Sequence, residues 1–249
     1  MRTTLLTSGY LLLTIPMRCY IITLFPESFD SYLNESIIGR AIKDKKIKVS
    51  FYNPRDFVTG KFKRVWPDGN VSRIIDDRPF GGGPGMVLRA EPILKAVESV
   101  LRKLKAKSVK KKVGPKVKII HFSPSGKMFN TTYAKDIVKK KYSDLIFICG
   151  RYEGIDARVK IALKAEDVSI GEYVLTGGEL PAMVVIDSIS RQIEGVLGNF
   201  DSREEERITS AEVYTRPEIL EWNGKKYKTP KVLLAGNRKE IEEWKKKDK

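Results

Sequence analysis

Four short segments rich in Ile, Val and aromatic residues alternate along the chain with segments of helical periodicity. The apolar segments are CYIITL at 19–24, IKVSFY at 47–52, VKIIHF at 117–122 and LIFICG at 145–150. The helical segments are 28–43, 91–107, 131–141 and 179–195. Apolar runs of this length predict buried strands, and strands alternating with helices favour a mostly parallel sheet covered on both faces. We therefore expect an α/β fold.

The composition allows a real core and a polyanionic partner. The chain has 249 residues, of which 41% are hydrophobic and 31% charged, so it is not compositionally disordered. It carries 47 Lys and Arg against 31 Asp and Glu, a formal net charge of +16. Such a surplus favours phosphate-rich partners, although a lysine-rich solvated surface gives the same number. Both interpretations stay open at this point.

Scarce residues exclude several classes of protein. His121, Cys19 and Cys149 are the only histidine and cysteines, too few for a Cys/His zinc site or a disulfide framework. We predict no metal-ligating set, and the two thiols suggest a reducing, cytoplasmic compartment. Residues 3–17 are uncharged but too short to span a bilayer. We expect no membrane segment, and we expect residues 1–17 to be an extension from a start codon assigned too early.

The chain changes character after Gly198, where acidic and proline-containing segments replace the alternating pattern. Residues 199–249 have 13 basic and 11 acidic side chains, a net of +2, so +14 belongs to the first 198 residues. We predict an α/β domain over 18–198, a linker over 199–213 and a small helical domain over 214–249. The positive charge therefore belongs mainly to the α/β domain.

Four clusters combine glycine with polar residues. They are RIIDDRPFGGGPGM at 73–86, HFSPSGK at 121–127, CGRYEGID at 149–156 and SIGEYVLTGGELPA at 169–182. None has the spacing of a P-loop or a GxGxxG fingerprint, which argues against nucleotide hydrolysis and ordinary dinucleotide binding. Open α/β sheets bind ligands at the carboxyl ends of their strands. The last three clusters are therefore expected to form one pocket built largely from backbone groups.

These motifs, taken in order, resemble one enzyme family over residues 19 to about 245. The matching strings are LFPESF, PRDF, DDRPFGGGPGM, SPSGK, CGRYEGIDARV, SIGEYVLTGGELPAMVVIDSISRQIEGVLGN, YTRP and PKVLLAGN. They look like the bacterial tRNA (guanine-N1)-methyltransferases, the TrmD family. The resemblance implies a SPOUT fold with a deep trefoil knot, a homodimer and S-adenosylmethionine as methyl donor. It also implies the guanosine immediately 3′ of the anticodon as acceptor, and the helical C-terminal domain here is shorter than in the family.

The resemblance also assigns a cofactor site. It places His121 against adenine and Glu153 near the amino group of the methionine moiety, where a magnesium ion is also compatible. Ile170 has an equally good interpretation as a core residue. The full predicted set is His121, Phe122, Ser123, Pro124, Gly150, Arg151, Glu153, Gly154, Ser169, Ile170, Gly171, Tyr173, Val174, Leu175, Gly177, Gly178 and Pro181.

Methylation of guanine N1 requires a base for the N1 proton and a cation or donor for the charge that develops on O6. By resemblance the base is Asp201, in the Asp-Ser pair of the linker, and Arg191 supports O6. Counting forward from Gly198 without a gap instead places Glu206 in the base position. By resemblance the glycine-rich loop shapes the tRNA and guanine site, with Asp77, Arg78, Gly82 and Gly85 as candidate substrate-binding residues.

Three other functions fit the sequence less well. A different SPOUT enzyme would methylate a ribose or another base, but LTGGELPA and YTRP argue against it. A basic RNA-binding module without catalytic activity would have no affinity for the methyl donor. A Rossmann-type methyltransferase would carry its glycine motif after the first strand, where LFPESF has none.

Overall fold

The computed structural model describes residues 16–108, 114–197 and 212–247. The strands are β1 Met17–Ile22, β2 Ile47–Tyr52, β3 Lys63–Val65, β4 Val71–Arg73, β5 Asp76–Asp77, β6 Val87–Leu88, β7 Val117–Met128, β8 Asp144–Ile148, β9 Glu166–Ser169, β10 Ile219–Trp222 and β11 Lys225–Lys228. The α-helices are α1 Asp30–Leu33, α2 Ser36–Lys43, α3 Ala90–Ser108, α4 Thr131–Lys139, α5 Arg158–Leu163, α6 Glu179–Ser190, α7 Lys231–Leu234 and α8 Arg238–Lys247.

A five-stranded parallel sheet in the order β2-β1-β8-β7-β9 forms the centre of the first compact unit, which ends at Leu197. The sheet confirms the predicted α/β class. Strand β7 pairs with β9 in two segments. The first segment is 120–122, and the second, after a break in the register, is Lys127 and Met128. A Cβ on Gly126, within that break, would lie 2.5 Å from the Val168 nitrogen, so β7 approaches β9 there more closely than a side chain allows.

The strands are apolar because both faces of the sheet are covered. Every residue of β8 is buried, and two hydrophobic clusters pack on opposite faces. One cluster contains Phe29, Phe147 and Ile186, and the other contains Ile93 and Ile146. This is the pattern expected of a parallel sheet between helical layers.

The predicted helix over 28–43 is interrupted. A 3₁₀ turn, Pro26–Phe29, precedes α1, and α2 begins at Ser36, whose φ of 51° cannot continue a right-handed helix. A Cβ on Gly39 would lie 2.4 Å from the Asn34 carbonyl oxygen, so the chain folds tightly at the break. The other three predicted helices are present as α3, α4 and α6, although α6 ends at Ser190 rather than at 195.

The second compact unit begins at Gly198 and includes the described residues 212–247. It contains α7 and α8, but also an antiparallel hairpin of β10 and β11, which the helical expectation for 214–249 lacks. Asn223 and Gly224 form its turn with φ of 48° and 71°, the positive values that a two-residue hairpin turn uses. The purely helical prediction is therefore wrong for this segment.

Two further expectations depend on residues that the structure does not describe. Most of the predicted N-terminal extension, residues 1–15, and most of the predicted linker, residues 199–211, lie outside the described ranges. No described helix is both long and apolar enough to cross a bilayer.

Candidate active site

Three segments at the carboxyl ends of neighbouring strands surround an open cavity of about 390 Å³, which we call the strand-end pocket. They belong to β7, to the loop after β8 and to the loop after β9. The predicted convergence of the three clusters on one pocket is therefore confirmed. All seventeen residues of the predicted cofactor set line it, together with Tyr152, Ile155, Val168 and Thr176.

Backbone hydrogen bonds join the loops that follow β8 and β9. The Gly178 amide donates to the Gly150 carbonyl at 3.0 Å, and Arg151 and Gly177 form an isolated antiparallel bridge. A Cβ on Gly178 would lie 2.6 Å from the Cys149 Cα, so only glycine allows this approach. The pocket wall is thus formed by two loops packed backbone against backbone.

The loop after β9 is shaped by a serine turn. The Ser169 hydroxyl donates to the Gly171 carbonyl at 2.8 Å, and the Tyr173 hydroxyl donates to the Ile170 carbonyl at 3.3 Å. Ile170 also packs against the hydrophobic core cluster, so this side chain contributes both to the core and to the lining of the pocket. These contacts leave backbone carbonyls and apolar side chains facing one cavity, a lining suited to a nucleoside.

His121 is tied to a short chain of charges. Its Nδ1 lies 2.9 Å from Asp167 Oδ1, and Lys160 forms an ion pair with the other oxygen of Asp167. A carboxylate only accepts hydrogen bonds, so Nδ1 donates and the neutral ring has its proton there. Partial burial opposes the ionisation of Asp167, but the Lys160 and His121 contacts outweigh it and lower the pKa of this carboxyl. The ring orientation is thereby set by Asp167.

Glu179, the first residue of α6, was not predicted as a site residue. Its side chain is buried, its Oε1 accepts a hydrogen bond from the Thr23 hydroxyl at 2.7 Å, and its Oε2 lies 3.0 Å from Arg151 Nε. Arg151 itself lines the strand-end pocket. Sequence spacing gives no signal for this cluster, because Thr23 and Glu179 are separated by 156 positions.

The thiols are not candidates for nucleophilic catalysis. Both cysteines are free and buried, and burial raises the pKa of Cys19 to about 12. Burial, and next the nearby Glu179 carboxylate, raise the pKa of Cys149 well above its ordinary value. A thiol is reactive as its thiolate, which these environments disfavour.

The glycine-rich loop 73–86 reaches the strand-end pocket at its carboxyl end. The Glu153 amide donates to the Met86 carbonyl at 3.1 Å, and the Leu88 amide donates to the Gly154 carbonyl at 2.9 Å. Gly85 has a φ of 80°, and a Cβ on it would lie 2.4 Å from Glu153 Oε1. The predicted substrate loop is therefore in contact with the predicted donor loop.

The other predicted substrate residues lie elsewhere. Asp77 and Arg78 line a second cavity of about 830 Å³, with Asp156 and Arg158, and Gly82 lines neither cavity. No group of three His, Cys, Asp or Glu side chains suited to a metal ion occurs in the described ranges.

Of the candidate catalytic residues, the structure describes only Arg191. Arg191 directly follows α6, whose amino end contributes Pro181 to the strand-end pocket. Arg191 follows Glu179, the first residue of α6, by twelve positions. At the rise of an α-helix this separates the two residues by about 18 Å along the helix axis. Asp201 and its rival Glu206 both lie outside the described residues.

An exposed aromatic ring beside the pocket is flanked by two arginines. The guanidinium carbons of Arg151 and Arg55 lie 4.6 Å and 5.6 Å from the centre of the Phe25 ring. Arg55 also donates a hydrogen bond to the Leu24 carbonyl at 2.9 Å. Arginine and aromatic side chains together suit the phosphates and bases of RNA.

Comparison with known proteins gives a consistent family. The family described as tRNA (Guanine-1)-methyltransferase TrmD matches residues 17–249. A tRNA (guanine-N(1)-)-methyltransferase of Clostridioides difficile is 42% identical, covering 93% of this chain and 92% of its own. The proteins of the same name from Buchnera aphidicola subsp. Acyrthosiphon pisum and Moorella thermoacetica are 44% and 40% identical. They cover 90% and 92% of this chain, and 86% and 83% of their own lengths.

Proposed function

The chain belongs to the TrmD family of tRNA (guanine-1)-methyltransferases, and from this premise we propose S-adenosylmethionine as its methyl donor and the guanosine directly 3′ of the anticodon as its acceptor. The activity of the family is methylation of guanine N1 in tRNA, and the product at this position is 1-methylguanosine. The family's trefoil knot remains a prediction for this chain. A cytoplasmic location follows from the tRNA substrate as part of the same proposal.

The observation that carries the donor assignment is the convergence of three strand-end segments on one pocket. The pocket combines apolar Ile170, Leu175 and Pro181 with backbone groups held close together by Gly177 and Gly178. This lining fits a nucleoside joined to an amino acid, since apolar walls suit the base and backbone groups suit its polar edge. When bound, S-adenosylmethionine supplies an activated methyl group on a positively charged sulfur.

The remaining chemistry is removal of the N1 proton and stabilisation of charge on O6. We assign the proton to Asp201, with Glu206 as the alternative, and the O6 contact to Arg191. An arginine remains charged throughout the reaction, so it can stabilise O6 as negative charge builds there. A magnesium ion near Glu153 belongs to the same proposal.

We propose that the active enzyme is a homodimer. Arg191 lies about 18 Å along α6 from the amino end of that helix, which is the end beside the pocket. A second copy that brings its own Arg191 to the pocket would remove this separation. The exposed apolar residues Leu180 and Val184, four positions apart on one face of α6, support an interface on that helix.

Binding of tRNA is supported by two observations on the first unit. The net charge of +14 on residues 1–198 favours a polyanion. The Phe25 ring between Arg55 and Arg151 lies beside the strand-end pocket, where a base and its phosphates would meet them. We therefore assign this cluster to the binding of the anticodon region next to the donor.

The test is nucleoside analysis of an unmodified tRNA transcript after incubation with enzyme and S-adenosylmethionine. The proposal expects 1-methylguanosine, located 3′ of the anticodon, and no product when that guanosine is replaced by adenosine. Asp201→Asn is expected to abolish the product while donor binding, measured by calorimetry, persists. Full activity of this variant would transfer the base role to Glu206, and methylation on a ribose would refute the acceptor assignment.

A further inference from the structure

A buried carboxylate below the wall of the strand-end pocket has no role in the chemistry described above. Glu179 is 3% exposed, and its partner Arg151 is one of the residues that line the pocket. Arg151 Nε and Glu179 Oε2 lie 3.0 Å apart, an ion-pair distance, and neither atom makes an aligned hydrogen bond. The charge of Glu179 is therefore matched by a side chain that belongs to the ligand site.

Burial of the Glu179 carboxylate is costly, so a purely structural role would be served better by an apolar residue. A carboxylate loses hydration when it is buried, whereas the Arg151 side chain keeps part of its surface in solvent, and well-packed hydrophobic side chains often replace such charges without loss of stability. The position of Glu179 in the first turn of α6 adds a favourable interaction with the helix dipole, but an exposed carboxylate would gain that as well. We therefore take the burial of Glu179 to serve the orientation of its partner, Arg151.

The geometry around Arg151 indicates what is oriented. Its Nη1 lies 3.4 Å from the Thr176 carbonyl, and its guanidinium lies over the Phe25 ring. A Cβ on Gly177 would lie 2.4 Å from Arg151 Nε and 2.5 Å from Glu179 Oε2, so the loop crosses directly over the pair. Glu179 thus fixes both the arginine and the backbone that covers it.

Thr23 completes the arrangement from the sheet side. It is fully buried at the end of β1, it donates to Glu179 Oε1 at 2.7 Å, and its hydroxyl accepts from the Phe25 amide at 3.0 Å. The carboxylate is therefore anchored on one oxygen by the sheet and on the other by the pocket wall. The ring of Phe25 and the guanidinium of Arg151 are both positioned from this one buried site.

We propose that Glu179 is a positioning residue that holds Arg151 and the loop 175–178 in the arrangement that binds the methyl donor. The proposal rests on the proposed function, in that the pocket is taken to bind S-adenosylmethionine. Glu179 touches neither substrate nor donor, so its loss acts through donor affinity. The KM for the donor rises, and kcat at saturating donor stays nearly constant.

The test is a double-mutant cycle measured by calorimetric titration of the full chain with S-adenosylmethionine. Glu179→Gln keeps the size of the side chain and its bond from Thr23 but removes the charge, and we expect about tenfold weaker binding. Arg151→Gln should weaken binding similarly, and the double variant should be no more than about threefold worse than either single one, because the two act as a unit. Independent losses, multiplying to about a hundredfold, would overturn the proposal.

The matched control is a second buried carboxylate that is paired with an arginine. Asp144 is fully buried at the opposite end of the sheet and pairs with Arg18 at 2.6 Å. Asp144→Asn should lower the melting temperature but leave donor affinity within about twofold of the original protein, because this pair is remote from the pocket. A loss of donor affinity in Asp144→Asn equal to that in Glu179→Gln would reduce the effect to general destabilisation and refute the positioning role.

The remaining outcomes are also decisive. If Glu179→Gln does not fold at 25 °C, Thr23→Val removes only one anchor of the carboxylate, and about threefold weaker donor binding is expected. Unchanged donor affinity in the folded variant overturns the positioning role. Absence of donor binding by the unaltered protein would instead refute the proposed function, so the two failures are distinguishable.

Discussion

Gly178 is a position where the backbones of the loops after β8 and β9 approach each other closely. Replacing it with alanine puts a methyl group 2.6 Å from the Cys149 Cα and 3.1 Å from the Cys149 Cβ. Its φ of −83° is one that alanine adopts freely. The perturbation is therefore steric and owes nothing to backbone strain.

The cost can be worked from these distances. Carbon atoms in contact prefer about 3.5–4.0 Å, so the loop must move by about 1 Å. Overpacking of this kind costs about 1–3 kcal/mol, and the bond from the Gly178 amide to the Gly150 carbonyl, now 3.0 Å, adds about 1 kcal/mol when it breaks. Alanine also lowers the conformational entropy of the unfolded chain, which offsets up to about 1 kcal/mol of this loss in stability. Together these contributions span about 1–4 kcal/mol, and we expect Gly178→Ala to lose about 2–3 kcal/mol, the centre of that range.

The assay is thermal and urea unfolding followed by far-ultraviolet circular dichroism. For a unit of this size the loss corresponds to a decrease in Tm of about 5–10 °C. Gly150→Ala is the matched control, because its Cβ would make only ordinary contact with Ile155 at 3.4 Å, and its stability should stay within about 0.5 kcal/mol of the original. Equal stability of Gly178→Ala and the unaltered protein would refute the close approach of the loops.

Further predictions concern charges. Asp144→Ala removes a buried carboxylate that accepts hydrogen bonds from the partly exposed Arg18 guanidinium and from the Tyr20 and Ser143 hydroxyls, and it should lose about 2–3 kcal/mol in urea unfolding; a loss below about 1 kcal/mol would contradict this pairing. The pKa of Asp167 is lowered, so its stabilising contribution is present above pH of about 4 and is lost as the pH falls through that lowered value. Asp167→Asn should therefore lose less stability than the original protein between pH 7 and about pH 3, and parallel losses would be inconsistent with this contribution. Arg191→Ala should lower the methylation rate far more than donor affinity; equal losses would exclude an O6 role. Affinity for tRNA should fall steeply as the salt concentration rises. An affinity that does not depend on salt would indicate that the basic residues form a solvated surface and do not contact phosphates.

Most strands of the central sheet were predictable because each is a short run of apolar residues that differs from its neighbours in the sequence. The predicted strand 47–52 has the bounds of β2, whereas the predicted strand 117–122 is only the first part of β7, which continues to Met128. Strand β9 was missed because its sequence, EDVS, contains two acidic residues and one buried apolar side chain, Val168. Its place in the sheet depends on pairing with β7, a long-range interaction that local periodicity does not report.

The candidate site was also predictable only in part. Glycine clusters predicted the pocket, since glycine at a strand end marks close backbone approach, as at Gly178 beside Cys149. The ion pair of Glu179 with Arg151 was not predictable, because a carboxylate in the first turn of a helix is normally exposed. Its burial is decided by Thr23 on a distant strand. The hairpin turn Asn223-Gly224 did carry a recognisable signal that the helical interpretation of 214–249 overlooked.

Hydrogen–deuterium exchange with and without S-adenosylhomocysteine, read by peptide mass spectrometry, tests the central assignment most directly. Binding should slow exchange together in the three segments 121–124, 150–155 and 168–178, and leave the peptides lining the second cavity, 94–101 among them, unchanged. Protection confined to one segment, or centred on the second cavity, would contradict a single donor pocket at the ends of β7, β8 and β9.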